Sequence, residues 1–155
     1  MPGAVSAWAA ALERHGTIKL ADALAPAIKL AEDGWVVTAT LQRDIGTAVR
    51  RLNTGGQAIF APSGSLPPIG AVLKNPALGK TLRAIAQGGP DAFYRGPIGV
   101  QLARFIEAEG GYLRAEDFRA HKPEWVEPIS IALQGDRRVY AMPPNSQGFV
   151  QLQLL

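Results

Sequence analysis

Few side chains in this sequence pair a reactive group with a neighbour that could activate it. There is no cysteine, which excludes a thiolate nucleophile, a thiolate metal site and a disulfide framework. The two histidines, His15 and His121, are far apart in the sequence, and each adjoins a predicted helix end, where the helix dipole favours histidine. No cluster of His, Asp and Glu has the spacing of metal ligands. The sequence therefore predicts no metal and no cofactor.

Acidic and glycine-rich motifs offer no clearer chemistry. Glu116-Asp117 and the pair Glu107 and Glu109 are typical of solvated helix faces, and a general acid or base would need a surrounding pocket. The short segment "GPIG" (residues 96–99) is too brief to bind phosphate through its backbone. These motifs therefore do not identify a site, and the predicted helices and strands are considered next.

Length and charge narrow the class of protein. The chain of 155 residues suffices for one domain with a buried core, and its formal charge is +3. Basic residues occur at most in pairs, Arg50-Arg51 and Arg137-Arg138, with no basic stripe and no interleaved aromatic residues, so we predict no nucleic-acid partner. No apolar run reaches the roughly 18 residues of a membrane span, so we expect no membrane association. The compartment stays open.

Helical periodicity dominates the first half of the sequence. A helix is predicted over residues 4–15, ending at Gly16. Because Pro26 lacks an N–H donor, we expect a short helix to end at Leu24 and a second to start at Pro26 and end at Gly34. A further helix is predicted over residues 38–52, followed by a loop over residues 57–72 that holds one short strand at "AIFA".

The stretch "GGPDAFYRGPIG" (residues 88–99) predicts a tight corner between two helices. One helix starts at Asn75-Pro76 and ends at Gly88-Gly89. A single helical turn then begins at Pro90-Asp91 and directs Phe93 and Tyr94 towards the neighbouring helices. The next helix runs from Pro97 to Glu109. Local physics thus assigns the stretch a structural role and no catalytic one.

The last part of the sequence changes character. After a short helix in "AEDFRAH", two β-rich runs flank Gln134-Gly135-Asp136 and predict a hairpin. Ser146 can cap a helix that starts near Gln147 and continues to Leu155. We therefore expect a mainly α fold: a multi-helix domain over residues 1–127, then a β-hairpin and the start of a helix over residues 128–155. The apolar end of the chain favours a piece of a larger protein.

Three blocks in this order resemble the γ-glutamyltranspeptidase (glutathione hydrolase) family. They are "PGAVSAWAAALERHGTIKLADALAPAIKLAEDGWVV", "LRAIAQGGPDAFYRGPIGVQLARFIEAEGGYLRAEDFRAHKPEWVEPIS" and "VYAMPPNSQG", and together they span most of the chain. The resemblance implies an N-terminal-nucleophile hydrolase with an αββα core, made as one precursor that cuts itself into two subunits. Its small-subunit threonine attacks a γ-glutamyl amide, with the α-amine as base.

By this resemblance the chain corresponds to the helical part of the large subunit. None of the six threonines (Thr17, Thr38, Thr40, Thr47, Thr54 and Thr81) matches the nucleophile, and no catalytic residue is carried over. The expected partners are the rest of the precursor, namely the upstream large-subunit part and the small subunit, together with a γ-glutamyl substrate in the intact enzyme. The isolated chain is expected to be inactive and to self-associate.

One departure from the family motif leaves the acyl substrate open. Where well-known members have Pro-Pro-Pro-Ser-Ser-Gly-Gly, this chain has Pro143-Pro144-Asn145-Ser146-Gln147-Gly148-Phe149. Asn145, Ser146 and Gln147 are thus candidate substrate-binding residues, for a γ-glutamyl group or for another acyl group such as oxamate or a cephalosporin side chain. The alternative is that Ser146 only caps a helix. A non-catalytic helical interaction module, or a basic domain with an anionic partner, would also fit the helical pattern.

Overall fold

The structure is a computed structural model that describes all of residues 1–155, and it divides into two units, Met1–His121 and Lys122–Leu155. No helix is both long and apolar enough to cross a membrane. The predicted division at residue 127 stays a prediction.

The first unit contains α1 (Ala4–His15), α2 (Leu20–Asp33), β1 (Trp35–Val36), α3 (Ala39–Ala48), a 3₁₀ turn (Val49–Arg51), α4 (Thr54–Phe60), β2 (Val72–Leu73), α5 (Pro76–Tyr94), α6 (Pro97–Ala108) and α7 (Ala115–Ala120). The second contains β3 (Ile129–Ala132), β4 (Arg138–Ala141) and α8 (Gly148–Gln153).

The first unit is built around α2 and α5, which pack against each other. Its main core cluster joins residues of α1, α2, α5, α6 and α7: Val5, Leu24, Ile28, Leu82, Ile85, Tyr94, Ala103 and Phe118. A smaller cluster of Val37, Ile45 and Leu73 lies beside the β1–β2 pair, in which Trp35 is opposite Leu73. The mainly helical fold predicted from the sequence is confirmed.

The predicted break in α2 is wrong. Pro26 lies inside a continuous helix, although its ring removes one backbone donor from the helix interior. Leu24 and Ile28, on either side of the proline, are both buried in the main core cluster. Their burial favours the helical path through Pro26, since burying one such side chain is worth about 1.5–3 kcal/mol.

The predicted loop after residue 52 also needs correction. The helix predicted over residues 38–52 ends as α3 and a 3₁₀ turn, and "AIFA" belongs to the end of α4 and not to a strand. The Asn53 side chain accepts a hydrogen bond from the Gly56 N–H at 2.9 Å, which caps α4. This cap starts a short helix in a segment whose glycines favour a loop.

The corner over residues 88–99 forms as predicted. Gly89 has φ 62° and ψ −159°, which interrupts α5 where a side chain would be strained, and Pro90 restarts the helix. Tyr94 is buried, and its ring meets that of Phe93 edge to face at 4.9 Å. Pro97 then opens α6 at the first turn. Glycine and proline therefore define this corner, and the aromatic pair fixes it to the core.

The second unit is the predicted hairpin followed by a helix. In the antiparallel β3–β4 pair, Ser130 is opposite Tyr140 and Ile131 is opposite Val139. The helix α8 begins at Gly148, one residue after the predicted start. A Cβ built on Gly148 would lie 2.2 Å from the Met142 carbonyl oxygen, so only glycine allows α8 to approach the end of β4 this closely.

An ion pair joins α2 to α5. Arg83 donates from Nε to Glu32 Oε1 at 2.6 Å and from Nη2 to Oε2 at 2.5 Å, a bidentate arrangement. The Glu32 side chain lies across Gly79, where a built Cβ would be 2.6 Å from Glu32 Cγ. The hydrogen bonds from Arg83, and secondarily its charge, lower the pKa of Glu32 below its ordinary value. Glu32 therefore contributes stability above its unfolded-state pKa and loses that contribution as pH falls through the lowered folded-state pKa.

We expect Arg83→Gln to raise the pKa of Glu32 towards its ordinary value, because the variant removes both hydrogen bonds and the charge. An NMR pH titration of the Glu32 side-chain carboxyl carbon measures this directly. Lys80→Gln is the matched control, since it removes a positive charge from the same helix but breaks no ion pair. An unchanged Glu32 pKa in Arg83→Gln would contradict the assignment.

Candidate functional site

The candidate substrate-binding residues lie in one turn of the second unit, between β4 and α8. Asn145, Ser146 and Gln147 are all exposed. The Ser146 hydroxyl donates to the Met142 carbonyl oxygen at 2.8 Å and accepts from the Gly148 N–H at 3.2 Å. Both bonds hold the turn that leads into α8, but Ser146 precedes the N-cap residue Gln147, whose side chain makes no capping hydrogen bond. The side-chain amides of Asn145 and Gln147 make no such bond and are free for a ligand.

Two open cavities flank this turn. One has a volume of about 490 Å³, and its lining includes Glu124, Val126 and Asn145. The other, of about 590 Å³, includes Gln147, Val150 and Leu154. Ser146 and Met142 line both. The first cavity thus combines the Asn145 amide, and the second the amides of Gln147 and Gln151, with apolar side chains, a composition that suits small organic ligands.

The turn holds no activated nucleophile. The hydroxyl proton of Ser146 is directed to a backbone carbonyl oxygen, which cannot act as its base. The threonines whose hydroxyls form hydrogen bonds also serve local structure. Thr38 accepts from the Leu41 N–H at the start of α3, while Thr47 and Thr81 donate to carbonyl oxygens in their own helices. Thr17, Thr40 and Thr54 are exposed.

A second constellation, in the first unit, was missed by the sequence analysis. Ser6 is buried, and its hydroxyl lies 2.8 Å from both the Gly3 carbonyl oxygen and His121 Nε2. The Tyr94 hydroxyl donates to the Pro2 carbonyl oxygen at 2.8 Å and accepts from the Ser6 N–H at 3.2 Å. Since the Ser6 proton is used on Gly3, His121 Nε2 is the donor to Ser6.

This network attaches the start of the chain to the core and does not form a catalytic dyad. His121 follows α7 directly, as predicted, and its ring centroid is 4.7 Å from that of Tyr94. His15 lies in the last turn of α1, the other predicted helix end. Sequence separations of 88 and 115 residues connect Ser6 to Tyr94 and His121, so no local spacing could have revealed the network.

Structural comparison defines the class of protein. The crystal structure of a cephalosporin acylase from Bacillus halodurans matches 97% of this chain with a TM-score of 0.87 and 42% identity, over 29% of its own length. That of Helicobacter pylori γ-glutamyltranspeptidase matches 96% with a TM-score of 0.87 and 27% identity, over 43% of its length. The helices and the following hairpin therefore have the fold of the corresponding part of N-terminal-nucleophile hydrolases.

The chain belongs to the γ-glutamyltranspeptidase family, whose model matches residues 1–155. This confirms the resemblance inferred from the three sequence blocks. Among curated relatives, the glutathione hydrolase proenzyme of Escherichia coli is 37% identical over 97% of this chain. The chain spans 26% of the length of that relative. Its family is thus one of amide-hydrolysing and acyl-transferring enzymes.

Proposed function

We propose that these 155 residues are the helical part of the large subunit of a proenzyme that hydrolyses or transfers γ-glutamyl amides. The family match along the whole chain carries the proposal. The names of two similar proteins, a glutathione hydrolase proenzyme and a γ-glutamyltranspeptidase, support γ-glutamyl amides as the substrate class. The nucleophile is a threonine supplied by polypeptide outside these residues, because the threonines present serve local structure or lie exposed without a base.

The proposed reaction has two steps. The hydroxyl oxygen of the external threonine attacks the γ-carbonyl carbon of the donor while its α-amine accepts the hydroxyl proton. The carbon–nitrogen bond breaks, and the amine leaves with that proton. Water or the amine of an acceptor then attacks the acyl-enzyme ester, which returns the threonine hydroxyl and releases glutamate or a new γ-glutamyl amide.

The turn at Asn145 and Gln147 would contribute to donor binding in this scheme. Their free amides can donate to and accept from a polar acyl group, while the adjoining cavities accept its apolar part. The remaining precursor would cover the apolar surface of the second unit, where Tyr140, Met142 and Leu154 are 60%, 56% and 82% exposed. Such exposure is typical of surfaces that are buried in an assembly.

The test compares the chain alone with the intact polypeptide encoded around it, using a chromogenic γ-glutamyl anilide. We expect turnover only from the intact polypeptide after self-cleavage. Turnover by the purified chain would contradict the placement of the nucleophile. If the intact polypeptide turned over only an amide of a cephalosporin side chain, the donor assignment would be wrong.

Variants of the turn refine this test in the intact polypeptide. Asn145→Ala is expected to raise the KM for the donor several-fold, because a lost hydrogen bond to a polar ligand is worth about 0.5–1.5 kcal/mol. Gln153→Ala is the control, since this exposed glutamine of α8 lines neither cavity. Equal effects of the two variants would exclude a specific role for Asn145.

A further inference from the structure

A cavity in the first unit has no role in the proposed function. It lies where the end of α3 and the 3₁₀ turn meet α4 and the segment that follows it, and its volume is about 380 Å³. This volume falls in the range of small-ligand sites. The lining residues come from both sides of this junction: Gly46, Val49, Arg50, Gln57, Ala61, Gly64, Ser65 and Leu66.

Arg50 is the one charged residue that lines this cavity, and it forms neither an ion pair nor a hydrogen bond. On α3, Arg43 pairs with Asp44 at 3.2 Å, so that carboxylate already has a cationic partner. Arg51, in the same 3₁₀ turn, is also unpaired but does not line the cavity. The cavity mouth therefore carries uncompensated positive charge and a guanidinium whose planar donors suit a carboxylate.

The other residues that line the cavity favour a ligand that has an apolar part. Val49, Ala61 and Leu66 supply apolar surface. The Gln57 amide nitrogen donates one hydrogen bond to the Leu52 carbonyl oxygen at 2.9 Å, which fixes the amide and leaves its oxygen and one N–H for a ligand. The cavity thus offers one strong cationic site beside an apolar wall.

A second cavity in the same unit differs in that its charged residues are paired. It has a volume of about 400 Å³ and lies along α2 and α5, with four charged residues in its lining. All four are paired with one another, Lys29 with Asp33 and Arg83 with Glu32. An anion would have to break one of these ion pairs to bind there. No such cost applies at Arg50.

We propose that the Arg50 cavity binds a small carboxylate that carries a short apolar chain. The guanidinium of Arg50 donates to the carboxylate, and the apolar chain contacts Val49 and Leu66. A free carboxylic acid and the C-terminal carboxylate of a peptide share this chemistry. The Arg50 cavity lies in the first unit, whereas the turn at Asn145 lies in the second.

Binding can be tested by NMR titration of the full chain with hexanoate, following the amide signals of Gly46 and Gly64, which line the cavity. We expect saturable shifts at both glycines, and weaker or no binding of acetate and of hexanamide, which lack the apolar chain and the charge respectively. An acetylated dipeptide with C-terminal leucine distinguishes the peptide source, for which we would then expect tighter binding than for hexanoate.

Arg50→Gln is expected to weaken hexanoate binding by about tenfold or more, as for a lost charge-assisted hydrogen bond. Arg51→Gln removes the same charge from the same turn but not from the cavity, and is expected to weaken binding no more than about twofold. Equal losses in the two variants, equal binding of hexanamide, or shifts that do not saturate would each overturn the proposal. Both arginines are exposed, so the variants are expected to fold, which circular dichroism checks.

Discussion

Phe118→Ala is expected to lower the free energy of unfolding by about 3–5 kcal/mol. Phe118 is fully buried, at 0% exposure, and belongs to the main core cluster of the first unit. Its ring lies 6.3 Å from that of Phe93, so the side chain anchors α7 to the corner at the end of α5. Because a domain is stable by only about 5–15 kcal/mol, this one truncation removes a large share of the total. Urea unfolding of the full chain, followed by far-ultraviolet circular dichroism, measures the loss.

Phe105→Ala is the matched control for this experiment. Phe105 lies on α6 and is 53% exposed, so its truncation leaves no enclosed cavity. We expect a loss below about 1 kcal/mol, in line with surface substitutions. Similar losses for the two variants would mean that α7 is not attached to the core as the structure has it.

The sequence predicted correctly the elements whose ends are marked by glycine, proline or a capping side chain. The glycines and prolines of residues 88–99 constrain the backbone directly, and Asn75 caps α5 by accepting from the Leu78 N–H at 3.0 Å. The hairpin formed where Gly135, with φ 74°, provides the turn. In such places the conformation depends on a few adjacent residues, so a sequence suffices to predict it.

The prediction at Pro26 failed because contacts between distant residues decide the conformation there. Whether Pro26 ends a helix depends on the burial of Leu24 and Ile28 in a core completed by α5 and α7. The same limit applies to the network of Ser6, Tyr94 and His121, whose members come from three helices and their ends. Neither result follows from local propensity, since tertiary packing outweighs it.

At the candidate site, the sequence predicted which residues lie together but not the cavities beside them. The sequence placed Asn145, Ser146 and Gln147 together, since they are adjacent, and offered helix capping as one role for Ser146. The structure places Ser146 one residue before the N-cap of α8, where its hydroxyl accepts from the Gly148 N–H and holds the turn. The cavities beside the turn depend on Glu124 and Val126, which precede the hairpin, and on the approach of α8 to β4. Their existence required the folded arrangement.

Gly99→Ala is expected to destabilise the first unit by about 1–3 kcal/mol, although alanine favours a helix more than glycine does. Gly99 is buried in the first turn of α6. A Cβ built there would lie 2.6 Å from the Phe93 carbonyl oxygen and 3.4 Å from Phe118 Cβ. The nearest obstacle is backbone, so relief requires α6 to move away from the end of α5. Urea unfolding of the full chain measures the change.

Gly46→Ala is the control that distinguishes the steric effect at Gly99 from the effect of helix propensity on stability. Gly46 also lies within a helix, α3, but its built Cβ would meet only Leu66 side-chain atoms at 3.7 and 3.8 Å, which is ordinary contact. Here the propensity of alanine is unopposed, and stability is expected to rise by about 0.5–1 kcal/mol. Opposite signs for the two substitutions would show that the corner over residues 88–99 depends on a glycine without which α6 could not reach α5. A gain in stability at both positions would contradict that packing, because it would mean that α6 has room for a side chain at Gly99.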